Sequence, residues 1–376
     1  NAVKPASPDL THLKYETITS NNIGVDFGLF SDKVNFTFEL YKKVTDDLLQ
    51  KKMKVPSSTG LSTVAWYNSG KIQNKGWEFN IDIAAVKTKD WSFNFGFNIS
   101  QNKNEILELP ENKNDELYTF GNKNYAYSVM MGDPLGSFYG YRYKGVYQNV
   151  EETYAVNTSG QRILDIDGNP VVMKNGDQKV YPGDARYEDV NGDGVIDEND
   201  IVYLGNSNPT LTGGLNFTLR YKKVSLVAAF HGRAGQKVIN QARMDMENMR
   251  GKNNQSVAVL RRWRSEGDDT DIPRALYDKG YNYLGSDRFV EDASFLRLKT
   301  VTLKYQMPAK WMKAIGVNKL ELYATGYDMF VWTKYKGQDP EVNLKAANDG
   351  TVAQVAIDSN NTPKPFKIAF GLNLNF

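Results

Sequence analysis

The sequence has no cysteine and only two histidines, His12 and His231. A disulfide framework, a thiolate metal site and a cysteine nucleophile are excluded, and two histidines give little basis for a histidine triad or a histidine-rich metal centre. Long apolar runs are missing as well. Mean hydropathy is −0.54 and no stretch of about 18 apolar residues occurs, so a transmembrane helix is not expected. This leaves a strand-built membrane protein open, because a barrel strand shows lipid only every second side chain. Charge of one sign is also lacking: 46 Lys and Arg stand against 44 Asp and Glu, a net charge of +2, which gives no reason to invoke nucleic acid. There is no P-loop, no nucleophile elbow and no acid pair in a catalytic frame, so an enzyme is not expected. The chain opens at Asn1 without a basic-then-apolar leader, so any signal peptide is expected to be absent or already removed.

What the sequence does have is aromatics, with 22 Tyr and 18 Phe, and strict alternation. The stretch Phe366 to Phe376 is apolar at every even position (Phe366, Ile368, Phe370, Leu372, Leu374, Phe376) and small or polar at every odd one. That is a strand with one apolar and one polar face. Eight more such runs precede it. They include Ile23–Phe30, Val34–Leu40, Trp77–Ile83, Trp91–Ile99, Leu215–Tyr221 and Val224–Phe230. The seventh, Phe295–Tyr305, slips phase near Lys299 and Thr300, which predicts a bulge. Met307-Pro308 ends it, Ala309–Ile315 is suited to one or two helical turns, and the eighth runs from Leu320 to about Trp332.

The connections between these runs alternate short and long, the long ones covering roughly 45–75, 101–208, 233–293 and 333–364. Outer-membrane barrels keep turns short on the periplasmic side and loops long outside, whereas a soluble β-protein has no reason to sort its connections by parity. The expected fold is therefore all-β: a transmembrane antiparallel β-barrel segment of about nine strands with long extracellular loops. Parity puts Phe30, Trp91, Tyr221, Tyr305 and Phe376 on one rim as an aromatic girdle. Nine strands are an odd, open sheet whose edges lipid does not tolerate, so the chain (1–376) is expected to be the C-terminal portion of a larger barrel. The 366–376 strand should pair on one side with the strand ending near Trp332, and on the other with a strand from elsewhere.

Inside the 101–208 loop region, residues 189–200 read Asp-Val-Asn-Gly-Asp-Gly-Val-Ile-Asp-Glu-Asn-Asp. Oxygen ligands fall at EF-hand positions 1, 3, 5, 9 and 12: Asp189, Asn191, Asp193, Asp197 and Asp200, with the Val195 carbonyl at position 7 and Gly194 at the sharp turn. A hard divalent cation needs six or more oxygens, and this spacing wraps them around one point. The plainer reading is an acidic Asp- and Gly-rich surface turn; the full ligand pattern favours Ca2+. No flanking helix pair is evident, because Asp184–Tyr187 and Ile201–Leu204 read as short extended pieces, so a structural clip is expected. Arg261, Arg262 and Arg264 around Trp263 read as a solvated loop helix with a packed Trp. The loop aromatics Trp66, Tyr67, Tyr281, Tyr283, Trp332 and Tyr335 are candidates for stacking on sugars, though loop packing is their commoner fate.

Several segments resemble SusC-like TonB-dependent transporters. These are Tyr67-Asn68-Ser69-Gly70 with Asn74-Lys75-Gly76-Trp77-Glu78, Pro134 to Gly140, Pro182-Gly183-Asp184 leading into the calcium-like loop, and Leu204 to Pro209. Arg262-Trp263, Ile272-Pro273-Arg274 and Val290 to Leu298 continue the match in order along the chain. The resemblance implies a barrel of about 22 strands filled by an N-terminal plug, in the outer membrane of Bacteroidetes-type bacteria. It also implies import of glycans or peptides, a SusD-like surface lipoprotein as lid, and TonB as energy source. The plug, the TonB-contacting segment and the early strands are absent from this sequence, so the chain alone should not transport. The alternative is a secreted, calcium-stabilised β-rich module for carbohydrate binding or adhesion, which the calcium loop alone would fit equally well.

Overall fold

The computed structural model describes residues 13–54, 63–109, 118–119, 125–127, 130–278, 281–314, 317–346, 354–360 and 362–375. Nine strands form one antiparallel sheet: β1 (Thr17–Leu29), β2 (Val34–Asp46), β3 (Lys71–Lys87), β4 (Trp91–Glu108), β5 (Leu211–Tyr221), β6 (Val224–Ala234), β7 (Phe295–Gln306), β8 (Lys319–Thr333) and β9 (Lys367–Asn375). Each pairs with the next in sequence, so the sheet is a continuous meander. The alternating runs are its strands. They extend several residues beyond the apolar runs at the loop end, where polar residues continue the ladder. The four short connections, 30–33, 88–90, 222–223 and 307–318, lie at one end, and the four long ones, 47–70, 109–210, 235–294 and 334–366, at the other. The helical turn expected after Pro308 is present as Ala309–Ala314.

Register carries the apolar pattern from strand to strand. Val34 faces Ile83, which faces Phe95, which faces Phe217, which faces Ala228. One step up, Phe36, Ile81, Phe97, Leu215 and Phe230 form the next row. The same strands turn Asn80, Asn98, Asp82 and Asn216 to the other face. Cross-strand pairing of like with like is what a two-faced sheet requires, since a one-residue slip would move every apolar side chain to the wrong side. These two rows are half-buried by their own neighbours, with Ala228 buried, whereas toward the sheet edges the same apolar face is exposed: Ile23 is 73% and Phe370 is 83% accessible. A water-soluble sheet buries such a face; a barrel gives it to lipid. At the short-turn end Trp91 lies 4.3 Å from Tyr221, ring to ring, and Tyr305 is opposite Val224 in the adjoining pair. Phe30 is exposed at the same rim in a left-handed turn, whereas Phe376 lies outside the described residues.

The sheet is open. Among the described residues, β1 is hydrogen-bonded to β2 alone and β9 to β8 alone, so β9 has the expected partner on one side. The predicted bulge is present: β7 shifts register against both β6 and β8 at Lys299.

Buried cores lie in the long connections. One packs Tyr125, Phe138, Ile239, Met244, Tyr283, Phe289, Val355 and Ile357, drawn from three different loops. A second packs Tyr147, Met173, Val180, Tyr187 and Ile196 within the β4–β5 connection. The loops therefore form a folded layer over one end of the sheet.

Two consequences are testable in the full-length barrel. Phe95→Arg or Phe217→Arg should destabilise it by about 2–4 kcal/mol at mid-bilayer depth, read by urea titration in lipid; a neutral effect would mean that the faces are reversed. Gly76 sits so close to its neighbours that a Cβ there would lie 2.0 Å from the Gln101 carbonyl oxygen and 2.7 Å from the Tyr41 hydroxyl. Gly76→Ala should therefore force β3 and β4 apart at a cost of about 1–3 kcal/mol, measured the same way.

Candidate functional site

The 189–200 loop is built into the second core. Val195 and Ile196 pair in parallel with Lys174 and Asn175, and Ile196 is buried. Gly194 takes a φ of 85° at the sharp turn and Gly192 one of 70°, conformations that favour glycine. A Cβ on Gly192 would meet the Thr158 amide nitrogen at 2.6 Å, which is how closely the loop lies on the turn at 157–161.

The side chains of the loop hold its own backbone. Asp189 accepts from the amides of Gly192 at 2.7 Å and Gly194 at 2.8 Å. Asp193 accepts from the Val195 amide at 2.8 Å, and Asn191 donates to Asp193 at 2.8 Å. Asp197 caps the short 3-10 turn Glu198–Asp200 by accepting from the Asn199 amide, while Asp200 accepts from the Asp197 amide at 2.9 Å. Asp200 also accepts from Val190 at 2.7 Å and is wholly buried, and burial raises its carboxyl above the ordinary aspartate range. The backbone thus follows the course that the spacing predicts. Among the described residues, however, no three Asp, Glu, His or Cys side chains are gathered around one point in this arrangement. Asp189, Asn191, Asp193, Asp197 and Asp200 each accept from a backbone amide of the loop instead.

A charged clamp next to this loop joins Asp184 to Arg274, two residues that sequence reading quoted in resembling segments without pairing them. Asp184, wholly buried, accepts from Arg274 Nε at 2.7 Å and Nη2 at 3.2 Å, from Asn282 at 3.3 Å and from the Tyr181 amide at 2.8 Å. Gly183, next to it, has φ 85° and lies against the Trp263 ring, where a Cβ would come within 2.2 Å. Trp263 is thus a packing residue, and of its arginine neighbours only Arg261 falls within the 3-10 turn Val257–Arg261. Tyr283 and Tyr335 are buried, Tyr335 donating to Asp358 at 2.7 Å, so neither is available for a sugar. Trp332 belongs to β8 and lies beside Phe230 and Phe330 on the apolar face.

Beside the loop lies an open cavity of about 720 Å3. Tyr147 and Tyr187 form its floor, and Arg142, Lys144, Arg186 and Glu188 its rim. Glu188 takes Arg142 and Lys144 together, each at 3.1 Å.

Comparison with known proteins agrees with this architecture. Residues 4–169 match the family model described as TonB dependent receptor-like, beta-barrel. TonB-dependent receptor P26 of Formosa agariphila is 32% identical over 99% of this chain. Residues 4–169 are thus a TonB-dependent receptor-like β-barrel segment, and the likeness to TonB-dependent receptors runs over nearly the whole chain. TonB-dependent receptor SusC of Bacteroides thetaiotaomicron is 28% identical over 97% of the chain. The chain spans about a third of each of these relatives, 36% and 32%. The structure of the RagAB peptide transporter superposes with a TM-score of 0.72 at 24% identity, covering 96% of this chain and 35% of that one. The chain is accordingly part of an outer-membrane β-barrel, and the secreted-module alternative falls away.

Asp184 is the residue on which the loop layer most depends. Asp184→Ala removes the partner of Arg274 and of a buried amide, and should cost about 3 kcal/mol. Limited proteolysis of the full-length protein should then cut the 109–210 region while the barrel stays intact. Unchanged resistance would show that the clamp is dispensable.

Proposed function

We propose that this chain is the C-terminal part of the barrel of a TonB-dependent importer, which takes up oligosaccharides or peptides without covalent chemistry. The observation that carries the reading is the pairing of an open, lipid-faced sheet with a folded layer of long loops at one end only. Such a layer is what a receptor needs to present at the outer surface, and the open edges require further strands to close a lumen wide enough for passage. A plug would come from the remaining two thirds of the protein, as would the segment that meets TonB. A SusD-like lipoprotein over the loop layer is supported by the likeness to SusC. The charged, tyrosine-floored cavity beside the 189–200 loop is the candidate substrate contact within this chain.

The test is genetic and biochemical together. Loss of the full-length protein should abolish growth on one polysaccharide or peptide source while sparing simple sugars, and a surface lipoprotein should co-purify from detergent-solubilised outer membranes. Growth unaffected on every such source would overturn the importer reading.

The 189–200 loop is further proposed to hold Ca2+ through Asp189, Asn191, Asp193, the Val195 carbonyl, Asp197 and Asp200. The donor set supports this: every candidate ligand is a hard oxygen, as Ca2+ prefers, and Asp200 is a wholly buried carboxylate with no cationic partner among the described residues, which a bound cation would compensate. The ion would act as a structural clip, neutralising Asp189 and Asp200 and fixing the loop against the Tyr187 core. Millimolar calcium should raise the melting temperature of the full-length protein, and Asp200→Asn should abolish that rise. An equal rise in the variant would reject the site.

A further inference from the structure

Register places three lysines side by side on the apolar face. Lys42 of β2 is directly opposite Lys75 of β3, and Lys75 is directly opposite Lys103 of β4. Alternation turns all three outward, because the row immediately below them is Leu40, Trp77 and Gln101, and the row below that is Phe38, Phe79 and Ile99. The lysines therefore cap the lipid-facing surface at the loop end, two residues beyond its last apolar row. Trp77, in the row next to the lysines, is suited to the interface: its ring is apolar while its indole nitrogen donates to Gln101 Oε1 at 2.7 Å.

All three lysines are exposed. Like charges directly opposite across strands destabilise a sheet, and little here offsets them. Among the described residues, Lys103 has Glu105 at 3.9 Å, and neither Lys42 nor Lys75 has a carboxylate at ion-pair distance. The nearby pair Lys71–Asp46 is closed on itself at 2.7 Å. On β1 the same row continues with Asn21, opposite Lys42, which adds donors and no negative charge.

We propose that Lys42, Lys75 and Lys103 form a binding site for the phosphate headgroup of a membrane lipid at the loop-side rim of the barrel. Charge complementarity requires an anion, and continuity with the apolar rows selects one that carries acyl chains. The phosphate bridges the three ammonium groups while the chains lie down the Phe38, Phe79 and Ile99 face. A free phosphate ion would satisfy the charge but leave that face unused. The site needs the membrane placement of the barrel and does not depend on what the protein imports.

The experiment uses the full-length protein in nanodiscs of phosphatidylcholine with and without one-tenth phosphatidic acid, and inorganic phosphate as a separate arm. Native mass spectrometry counts retained phosphatidic acid, and thermal melting is followed in parallel. Wild type should retain the phosphorylated lipid about a hundredfold more strongly than the K42Q/K75Q/K103Q variant, taking three lysines at the usual strength near a charged headgroup. Lys75→Glu separates this from a structural role. It should abolish retention yet melt no lower than wild type in pure phosphatidylcholine, because it pairs with the lysine on either side. Equal retention by all variants, or a stabilisation by inorganic phosphate matching that by the lipid, would overturn the proposal.

Discussion

Lipid offers a backbone amide no hydrogen-bond partner, and the rest of this structure follows from that constraint. Nine strands satisfy it by pairing each with its sequence neighbour, from Thr17–Leu29 to Lys367–Asn375. Because the ladder handles every interior backbone group, the side chains are free to divide by parity between two surroundings. The same constraint leaves the outer edges of the first and ninth strands unsettled among the described residues. Each unpaired group in hydrocarbon costs several kcal/mol, so a sheet with two long open edges is stable in a membrane only when other strands close it. That the chain spans about a third of its curated relatives is the counterpart in sequence of those two edges.

The loop layer is held by the means of a water-soluble protein. It has apolar cores drawn from distant connections, and it buries ion pairs. Arg288 and Arg243 share Glu247, and Arg243 also reaches Glu291 at 3.0 Å. The third long connection thus supplies both ends of a network that ties the helical turn Gln241–Glu247 to the strand Val290–Asp292. Removing one partner of such a pair strands the other, so these networks fix conformation more than they add net stability. One chain is therefore built on two solvents. Its strands are stable where water is absent, and its loops where water is present.

The strands were legible because two independent signals agreed, alternation within each run and parity among the connections. The bulge at Lys299 was legible as a phase slip. The loop layer was not, since Asp184 meets Arg274 and Asn282 across some 90 to 98 residues and no local period links them. Tyr283 and Tyr335 were readable either as sugar-stacking candidates or, the commoner fate, as packed loop aromatics, because composition carries no burial; both are packed in a core. For the 189–200 loop the glycine positions predicted the backbone course, which Gly192 and Gly194 follow. The spacing says nothing about whether a carboxylate faces a cation or its own amides. The lysine row at 42, 75 and 103 is invisible in sequence, because three lysines on three strands become neighbours only through register.

The bulge shows how one residue can protect both faces of the sheet. From Tyr305 back to Val301, the odd positions of β7 face lipid, opposite Val224, Leu226 and Ala228. Continued without interruption, that phase would put Lys299 and Arg297 on the lipid face, at about 2–4 kcal/mol for each charge at mid-depth. The extra residue at Lys299 shifts the phase by one, so that Leu298 lies opposite Phe230 and Leu296 opposite Gly232. Lys299 then reaches Asp328 at 3.2 Å, in a partner strand whose backbone is left-handed at that aspartate. Arg297, nearly fully buried, reaches Asp339 at 2.6 Å in the last long connection. The slip therefore keeps the lipid face apolar and turns the two cations to the inner face. There they anchor the connection between β8 and β9, so the geometry that suits the membrane also fastens a loop at the barrel mouth.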